Sequence, residues 1–172
     1  GSGNGNGVES TYSEVANFQL SIISQTIYPR FTNIVKNLGK FVDENPEVLN
    51  ALVQYSHLSA AQVKEQLAFG KGPLINITPL PANKVGEFRS SSPNALNVSQ
   101  AFVTELEKAK LPTTIQATSF LLAVTVLHEY VHYGNHSVGF RPTGVEQGYA
   151  FERAGFTVEV NRDNAYEIYI NL

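Results

Sequence analysis

Two histidines and a glutamate in one short segment are the residues of this chain whose types and spacing best suit chemistry. In the run His128-Glu129-Tyr130-Val131-His132 the histidines stand four positions apart. On a helix, residues four apart lie on one face about a turn apart, so both imidazoles can reach one metal ion. Glu129, one position round the helix, can hold a water molecule and accept its proton without binding the metal. The spacing predicts a zinc-dependent hydrolase, most consistent with a peptidase, in which Glu129 is the catalytic base.

The residues around this run are apolar, which favours a bound metal ion. The apolar positions indicate a core helix, and they are Phe120, Leu121, Val124, Leu127 and Val131. A buried group of ionisable side chains needs compensation, and a cation supplies it. We therefore expect Zn²⁺ as the cofactor, with His128 and His132 among its ligands.

A catalytic zinc takes three protein ligands and keeps a fourth position open, so a third ligand is required. His136 follows His132 by four residues, after Gly134. The metzincin extension is not matched, because Val138 stands where its third histidine would be. His136 is therefore a weak candidate as a ligand and a better one as a loop or substrate-side group.

Two glutamates follow, at Glu146 and Glu152, in a segment expected to be a helix over residues 145–156. This arrangement resembles the gluzincins, zinc peptidases in which a glutamate on a later helix completes a site of two histidines and one glutamate. Six helical residues turn through about 600°, so the two side chains face directions about 120° apart and cannot both bind. The resemblance favours Glu146 by its early position and Glu152 by its spacing. We expect Glu146 as the third ligand, with Glu152 as the alternative or as an acceptor for a histidine N–H.

The segment from His128 to Phe156 also resembles the metallopeptidase domains at the ends of bacterial polymorphic toxins. The likeness rests on His-Glu-Tyr-Val-His-Tyr-Gly followed by Glu-x-Gly-x-x-Phe-Glu. It implies an α+β, zincin-like fold, metalloendopeptidase activity on a peptide or protein substrate, and a domain of a larger secreted protein delivered into a target cell. It does not identify the group that stabilises the transition state, for which the candidates are Tyr149, His136 and Tyr166.

Three other functions are compatible with the same residues. They are a catalytically inactive zincin-fold module that binds peptides, a zinc amidase acting on a non-protein substrate, and a structural zinc site closed by four ligands including His136. The presence of Glu129 argues against the first, because an inactive module has no chemical need for that residue.

The composition excludes several further classes. The 15 acidic and 12 basic residues are scattered in small groups, and the sequence has no basic stripe that could bind phosphates. We therefore expect no nucleic-acid partner. The absence of cysteine excludes disulfides, thiolate metal sites and a thiol nucleophile. No apolar run reaches the roughly 18 residues needed to span a bilayer, and we expect no membrane partner.

The length of 172 residues indicates one domain over residues 8–172, after a glycine-rich linker or cloning remnant at residues 1–7. Because methionine is absent, we expect the chain to be a piece of a longer product. A capping box at Thr11 and Glu14 predicts a helix of about four turns before Pro29.

The remaining elements follow from spacing and punctuation. We expect three helices here: one that contains Phe31 to Val42, one capped by Asn45, and one with a capping box at Ser59 and Gln62. Together with the first helix they would form an N-terminal helical layer. Three short strands follow, around residues 74–77, 85–88 and 96–98. A helix at residues 102–106 and the long active-site helix at residues 117–134 come next, and a terminal hairpin is expected over residues 158–170.

Overall fold

A computed structural model describes residues 19–172 and shows a mixed α+β fold. The described part contains three strands, β1 (Leu74–Thr78), β2 (Gly86–Glu87) and β3 (Ala95–Ser99). Its nine helices are α1 (Ile22–Ile27), α2 (Pro29–Lys36), α3 (Leu38–Glu44), α4 (Pro46–Ser56), α5 (Ala60–Leu67), α6 (Gln100–Lys108), α7 (Pro112–Ser137), α8 (Gln147–Phe156) and α9 (Ala165–Ile170).

The helix starts follow simple sequence signals. Pro29, Pro46 and Pro112 stand at the first turn of α2, α4 and α7, where the missing proline N–H removes no helical hydrogen bond. The capping box of α5 is confirmed, since Ser59 accepts from the Gln62 N–H and the Gln62 side chain accepts from the Ser59 N–H. The expected helical layer is therefore present between residues 22 and 67.

Two of the predicted helices in the N-terminal layer differ from those observed, and the long helix is longer than expected, since it spans Pro112–Ser137 rather than residues 117–134. The capping box at Thr11 and Glu14 lies outside the described residues, and α1 begins only after Ser21, whose side chain accepts from the Ser24 N–H. The helix expected to contain Phe31 to Val42 is two helices, α2 and α3. The break is at Asn37, whose side chain donates to the Asn33 carbonyl at 2.7 Å and competes with continued helical bonding.

The predicted terminal hairpin is wrong, because residues 165–170 form α9. Asn161 accepts through Oδ1 from the N–H groups of Asp163 and Asn164, at 2.8 and 3.0 Å, and this compact turn leads into a helix. Ala165 is fully buried at the start of α9, which packs on α7. The alternation of apolar residues therefore predicted strands wrongly in this segment, because the hydrogen bonds of the Asn161 side chain determine the local structure.

The small sheet has the strand order β1-β3-β2. β1 runs parallel to β3, from Leu74 opposite Ala95 to Thr78 opposite Ser99. β2 runs antiparallel to β3, with Gly86 opposite Val98, and it forms an edge of the sheet. The three predicted strand regions are confirmed, although the middle one is only two residues long.

The long helix α7 is the centre of the fold. It contacts α2, α4, α6, α8 and α9 and the strands β2 and β3. Apolar residues on nearly every side of it are buried, from Phe120 to Val131. No helix in the described range, residues 19–172, is long and apolar enough to cross a membrane.

The helix α4 packs against both α7 and α8 and so helps to set their relative position. Its crossing with α7 is close at Gly134, where an added Cβ would lie 2.8 Å from both the Cβ and the carbonyl oxygen of Ser56. Only glycine allows this approach of the two backbones.

We predict that Gly134→Ala destabilises the protein by about 1–3 kcal/mol, because the new methyl group forces α4 away from α7. The control is Gly39→Ala in α3, where the nearest atom to the added Cβ is the Leu67 carbonyl oxygen at 3.6 Å, an ordinary contact. That control should match the wild type or gain up to about 1 kcal/mol from helix propensity. Urea denaturation followed by circular dichroism measures both, and equal midpoints for the two variants would contradict the close crossing.

Candidate metal centre

Three potential ligand atoms from two helices lie together. His128 and His132 stand on α7, and the Nε2 atom of each is 3.2 Å from Oε2 of Glu146. All three atoms lie within 4.8 Å of one another. The structure therefore brings together the two histidines of the sequence motif and the first of the two candidate glutamates.

The spacing of these atoms suits a zinc ion. Bonds of about 2.0–2.1 Å at tetrahedral angles place neighbouring ligand atoms about 3.3 Å apart. The two histidine-to-glutamate separations of 3.2 Å agree with that value. Two imidazole nitrogens and one carboxylate oxygen are also a common donor set for a catalytic zinc, with the fourth position left for water or substrate. The residues present therefore fit the metal.

Glu146 is held by the start of α8. It is the N-cap residue, and its Oε1 accepts from the Tyr149 N–H at 2.8 Å while Oε2 faces the histidines. One oxygen is thus fixed by the helix end and the other is free to bind. The helix begins at Gln147, after Glu146, and not at residue 145 as the sequence indicated.

Glu152 lies on the other side of the His128 ring. Its Oε2 accepts from Nδ1–H of His128 at 2.6 Å, and its Oε1 accepts from the Val160 N–H at 2.7 Å. The ionised carboxylate fixes the ring proton on Nδ1, which leaves the Nε2 lone pair for a metal. The structure thus places Glu146 among the ligand atoms and Glu152 behind His128, as an acceptor.

The His128 ring lies flat against the backbone of α8. A methyl group on Gly148 would overlap three atoms of the imidazole. The ring is therefore confined by Glu152 on one side and by the helix backbone on the other, and glycine at position 148 supplies the room.

The charges at the site call for a cation. Burial alone would lower the pKa of His128, but hydrogen bonds with Glu146 and Glu152 and the charge of Glu129 raise it to about 10. Burial would also raise the pKa of Glu146, yet its bonds with both histidines and the Tyr149 N–H hold it well below the usual range. Without a metal, a proton on His128 balances these carboxylates, and a divalent cation would take its place.

Glu129 is buried beside the ligand atoms without joining them. Its Oε2 is 4.0 Å from Nε2 of His128. Burial raises the pKa of Glu129, and the charges of His128 and His132 oppose that rise. Strand β2 passes close to this carboxylate, since an added Cβ on Gly86 would lie 2.5 Å from Cγ2 of Thr125 and 3.1 Å from Oε2 of Glu129.

These residues lie in an open cleft of about 980 Å³. One wall is formed by residues 81–88, which lead into and include β2, and the opposite wall by α8 and residues 160–163. The remaining residues form the floor and are Phe102, Leu121, Thr125, His128, Glu129 and His132. A peptide could therefore reach the candidate ligands from solvent.

The three candidates for stabilising a transition state lie in different places. Tyr149 lines the cleft, and its ring centroid is 4.8 Å from that of His128. His136 is exposed beyond the cluster, with its ring 5.8 Å from that of Phe88. Tyr166 lines a second cavity and not the cleft. The structure therefore brings only Tyr149 of these three to the site.

Sequence reasoning missed the two segments that complete the cleft. Neither the close approach of Gly86 to Glu129 nor the bond from the Val160 N–H to Glu152 has a local signal, because each depends on distant parts of the chain. The Gly148 contact has a weak signal, since a glycine early in a helix lowers helix propensity and needs a packing reason.

Comparisons with known proteins give one match. The family model described as metallopeptidase toxin 3 matches residues 24–157. Searches of curated proteins and of solved structures found no match. The matched segment includes all three candidate ligands, Glu129 and Glu152.

We predict that His132→Ala weakens zinc binding by at least about 100-fold, because it removes one of three ligands. His136→Ala is the control, since it removes an imidazole from the last turn of the same helix but outside the cluster. Isothermal titration with zinc, with metal content by mass spectrometry, should give one ion per chain for the wild type and the control. A wild type that binds no zinc would contradict the assignment.

We also predict that Gly148→Ala loses zinc affinity while Gly155→Ala retains it. Both glycines lie in α8, but an added Cβ at Gly155 finds its nearest neighbour, Cα of Val48, at 3.6 Å. The alanine at position 148 displaces the His128 ring, whereas the alanine at position 155 should stabilise the helix by up to about 1 kcal/mol. The same titration, together with thermal unfolding, separates the two effects, and equal zinc affinity would show that the ring does not need this space.

Proposed function

The chain belongs to the metallopeptidase toxin 3 family, and from this premise we propose that it hydrolyses peptide bonds with a zinc ion held by His128, His132 and Glu146. One observation carries the proposal. Nε2 of each histidine lies 3.2 Å from Oε2 of Glu146, a separation that suits zinc, and the three atoms line an open cleft with Glu129 beside them. A closed structural zinc site would need a fourth protein ligand, and the cluster in the described part of the chain has three.

When bound, zinc supplies a Lewis acid that activates a water molecule and polarises the scissile carbonyl. The chain's own groups perform the remaining tasks. Glu129 accepts the proton of the attacking water at its carboxylate and passes it to the leaving amine. Its raised pKa favours this role, since a carboxylate must first bind the proton and then release it.

Glu152 positions His128. It keeps the ring proton on Nδ1, so that Nε2 points at the shared site with Glu146. Tyr149 is the candidate for stabilising charge on the substrate oxygen, because it lines the cleft next to His128 and is 43% exposed. A phenolic O–H aimed into the cleft can donate to a developing oxyanion.

The edge strand β2 supplies a template for the substrate backbone. The Val85 carbonyl accepts from the Ser99 N–H at 2.8 Å, so it points toward β3. Because backbone groups alternate in direction along a strand, the N–H and C=O of Gly86 point to the free edge. An extended peptide that pairs there would pass beside Glu129.

We extend the proposal to the whole protein in three respects. The fold is zincin-like, residues 8–172 form one domain, and that domain is the toxin part of a larger secreted protein delivered into a target cell. Family membership supports a metallopeptidase toxin that acts on proteins.

We predict that Glu129→Gln lowers kcat by about 10²–10⁴-fold and leaves zinc affinity and fold intact, because it removes the proton acceptor but no ligand. Glu65→Gln, at an exposed position on α5, is the charge-matched control and should retain full activity. Cleavage of denatured casein and of a mixed peptide library, with and without a chelator, measures the effect.

The outcomes separate the competing functions. Loss of cleavage on chelation and in Glu129→Gln supports the peptidase. Stoichiometric zinc with no cleavage of either substrate by the wild type would reject it in favour of a peptide-binding module or an amidase. Wild-type turnover by Glu129→Gln would show that another group is the base.

A further inference from the structure

Arg162 stands where the cleft continues into a second cavity. The second cavity has a volume of about 410 Å³, and both Arg162 and Leu121 line it and the cleft. The rest of its lining combines one carboxylate with hydroxyl and methyl groups and consists of Glu105, Thr113, Thr114, Ala117, Thr118 and Tyr166. A substrate bound across the metal centre can therefore extend past Arg162.

The guanidinium of Arg162 contacts α6, although 59% of the side chain is exposed. Its Nη1 donates to both carboxylate oxygens of Glu105, at 2.9 and 3.0 Å. Its central carbon lies 4.6 Å from the centroid of the Phe102 ring, over the aromatic face. Within residues 19–172, both hydrogen bonds of the guanidinium come from Nη1, and no acceptor takes the N–H groups on Nε or Nη2. An arginine has five N–H donors in one plane, so the pair with Glu105 leaves donors for a ligand.

The loop that carries Arg162 is tied to the metal centre. The Val160 N–H donates to Glu152, which also holds His128. Asn161 then accepts from two backbone N–H groups of the following turn, and the Asn164 side chain donates to the Glu159 carbonyl at 2.9 Å. This wall of the cleft is therefore set relative to the candidate ligands by bonds of its own backbone.

We propose that Arg162 is a specificity-determining residue that binds a carboxylate of a peptide substrate lying in the cleft. The proposal rests on the proposed function, because it assumes that a peptide lies in the cleft. A planar guanidinium with free donors matches a carboxylate better than any other common peptide group. The match to the family model ends at residue 157, before Arg162.

Other charged residues on the cleft walls could also produce a preference for charged substrates. Lys84, on the opposite wall, is paired with Glu87 at 3.1 Å, and Glu87 is also bonded to Arg89 at 2.8 Å. Asp163 lies on the same wall as Arg162, and together with Glu105 it could attract a cationic side chain instead. The experiment must therefore compare acidic, neutral and basic peptides and must include a Lys84 variant.

The test measures peptide binding separately from cleavage. Zinc-loaded Glu129→Gln protein is titrated into fluorescein-labelled alanine-rich octapeptides that carry Glu, Gln or Lys at each position in turn. Each peptide is made with a free and with an amidated C-terminus, so that a side-chain carboxylate is distinguished from the terminal one. Fluorescence polarisation gives the dissociation constants. In the wild type, kcat/KM is measured on the same peptides.

We expect one position, or the free C-terminus, at which the acidic peptide binds about tenfold more tightly than its neutral counterpart, as one charge-assisted pair allows. Arg162→Gln should reduce this ratio to about one, and Arg162→Glu should favour the lysine peptide. Glu105→Gln should increase the ratio, because it removes the carboxylate that competes for the guanidinium. Zinc affinity should be unchanged in all three variants.

The control is Arg153→Gln, which breaks an exposed ion pair with Glu159 on the outer side of the same loop and should keep the full preference. No preference for acidic peptides, a preference that survives Arg162→Gln, or one abolished by Lys84→Gln would each overturn the proposal. Binding with the expected preference but no cleavage by the wild type would reject the proposed hydrolase and retain the subsite.

Discussion

The carboxylate of Glu152 is buried and bonded on both sides, to the His128 ring at 2.6 Å and to the Val160 N–H at 2.7 Å. A buried carboxylate without partners is costly, so these two bonds are a condition for placing the residue there. They also join two parts of the chain that have no local reason to meet. The same side chain thus fixes the tautomer and direction of His128, a candidate metal ligand, and the position of the cleft wall that carries Arg162.

The helix α7, which carries two of the candidate ligands, is stabilised mainly by apolar packing and has buried ionisable groups at one place. Most of α7 between Phe120 and Val131 is buried against other helices and the sheet. Within this apolar surround, Glu129 and Glu152 are each less than 10% exposed. Their negative charge can be balanced by a proton on His128 or by a metal ion. A metal ion bound there would face the open cleft, where a substrate can reach it. The free-energy cost of burying these carboxylates is therefore linked to the binding of a cation at the candidate metal centre.

The part of the site that follows from short-range spacing could be predicted from sequence. His128, Glu129 and His132 lie within five consecutive residues, and helical geometry alone places the two histidines on one face. The choice between Glu146 and Glu152 could not be made this way. The comparison of angles assumed that both residues were helical, whereas Glu146 is the N-cap, and its direction is set by its bond to the Tyr149 N–H.

The difference between short-range and long-range determinants also explains which elements of the fold could be predicted. The proline and serine starts of α2, α4 and α5 depend on neighbouring residues and were predictable. The terminal helix α9 replaced an expected hairpin, because the turn bonds of Asn161 outweigh the alternation of apolar residues.

The arrangement also separates chemistry from recognition. The candidate ligands and Glu129 stand on α7 and at the start of α8, whereas the walls are formed by residues 81–88 and 160–163. Rigid helices hold reacting groups to within fractions of an ångström, and loops tolerate substitution more readily. Arg162 is an exception among loop residues, because Glu105 and Phe102 of α6 hold its guanidinium and Glu152 anchors its backbone through Val160. These contacts restrict the side chain before a substrate arrives and so lower the conformational entropy that binding would cost, which suits Arg162 to recognising a substrate in the cleft.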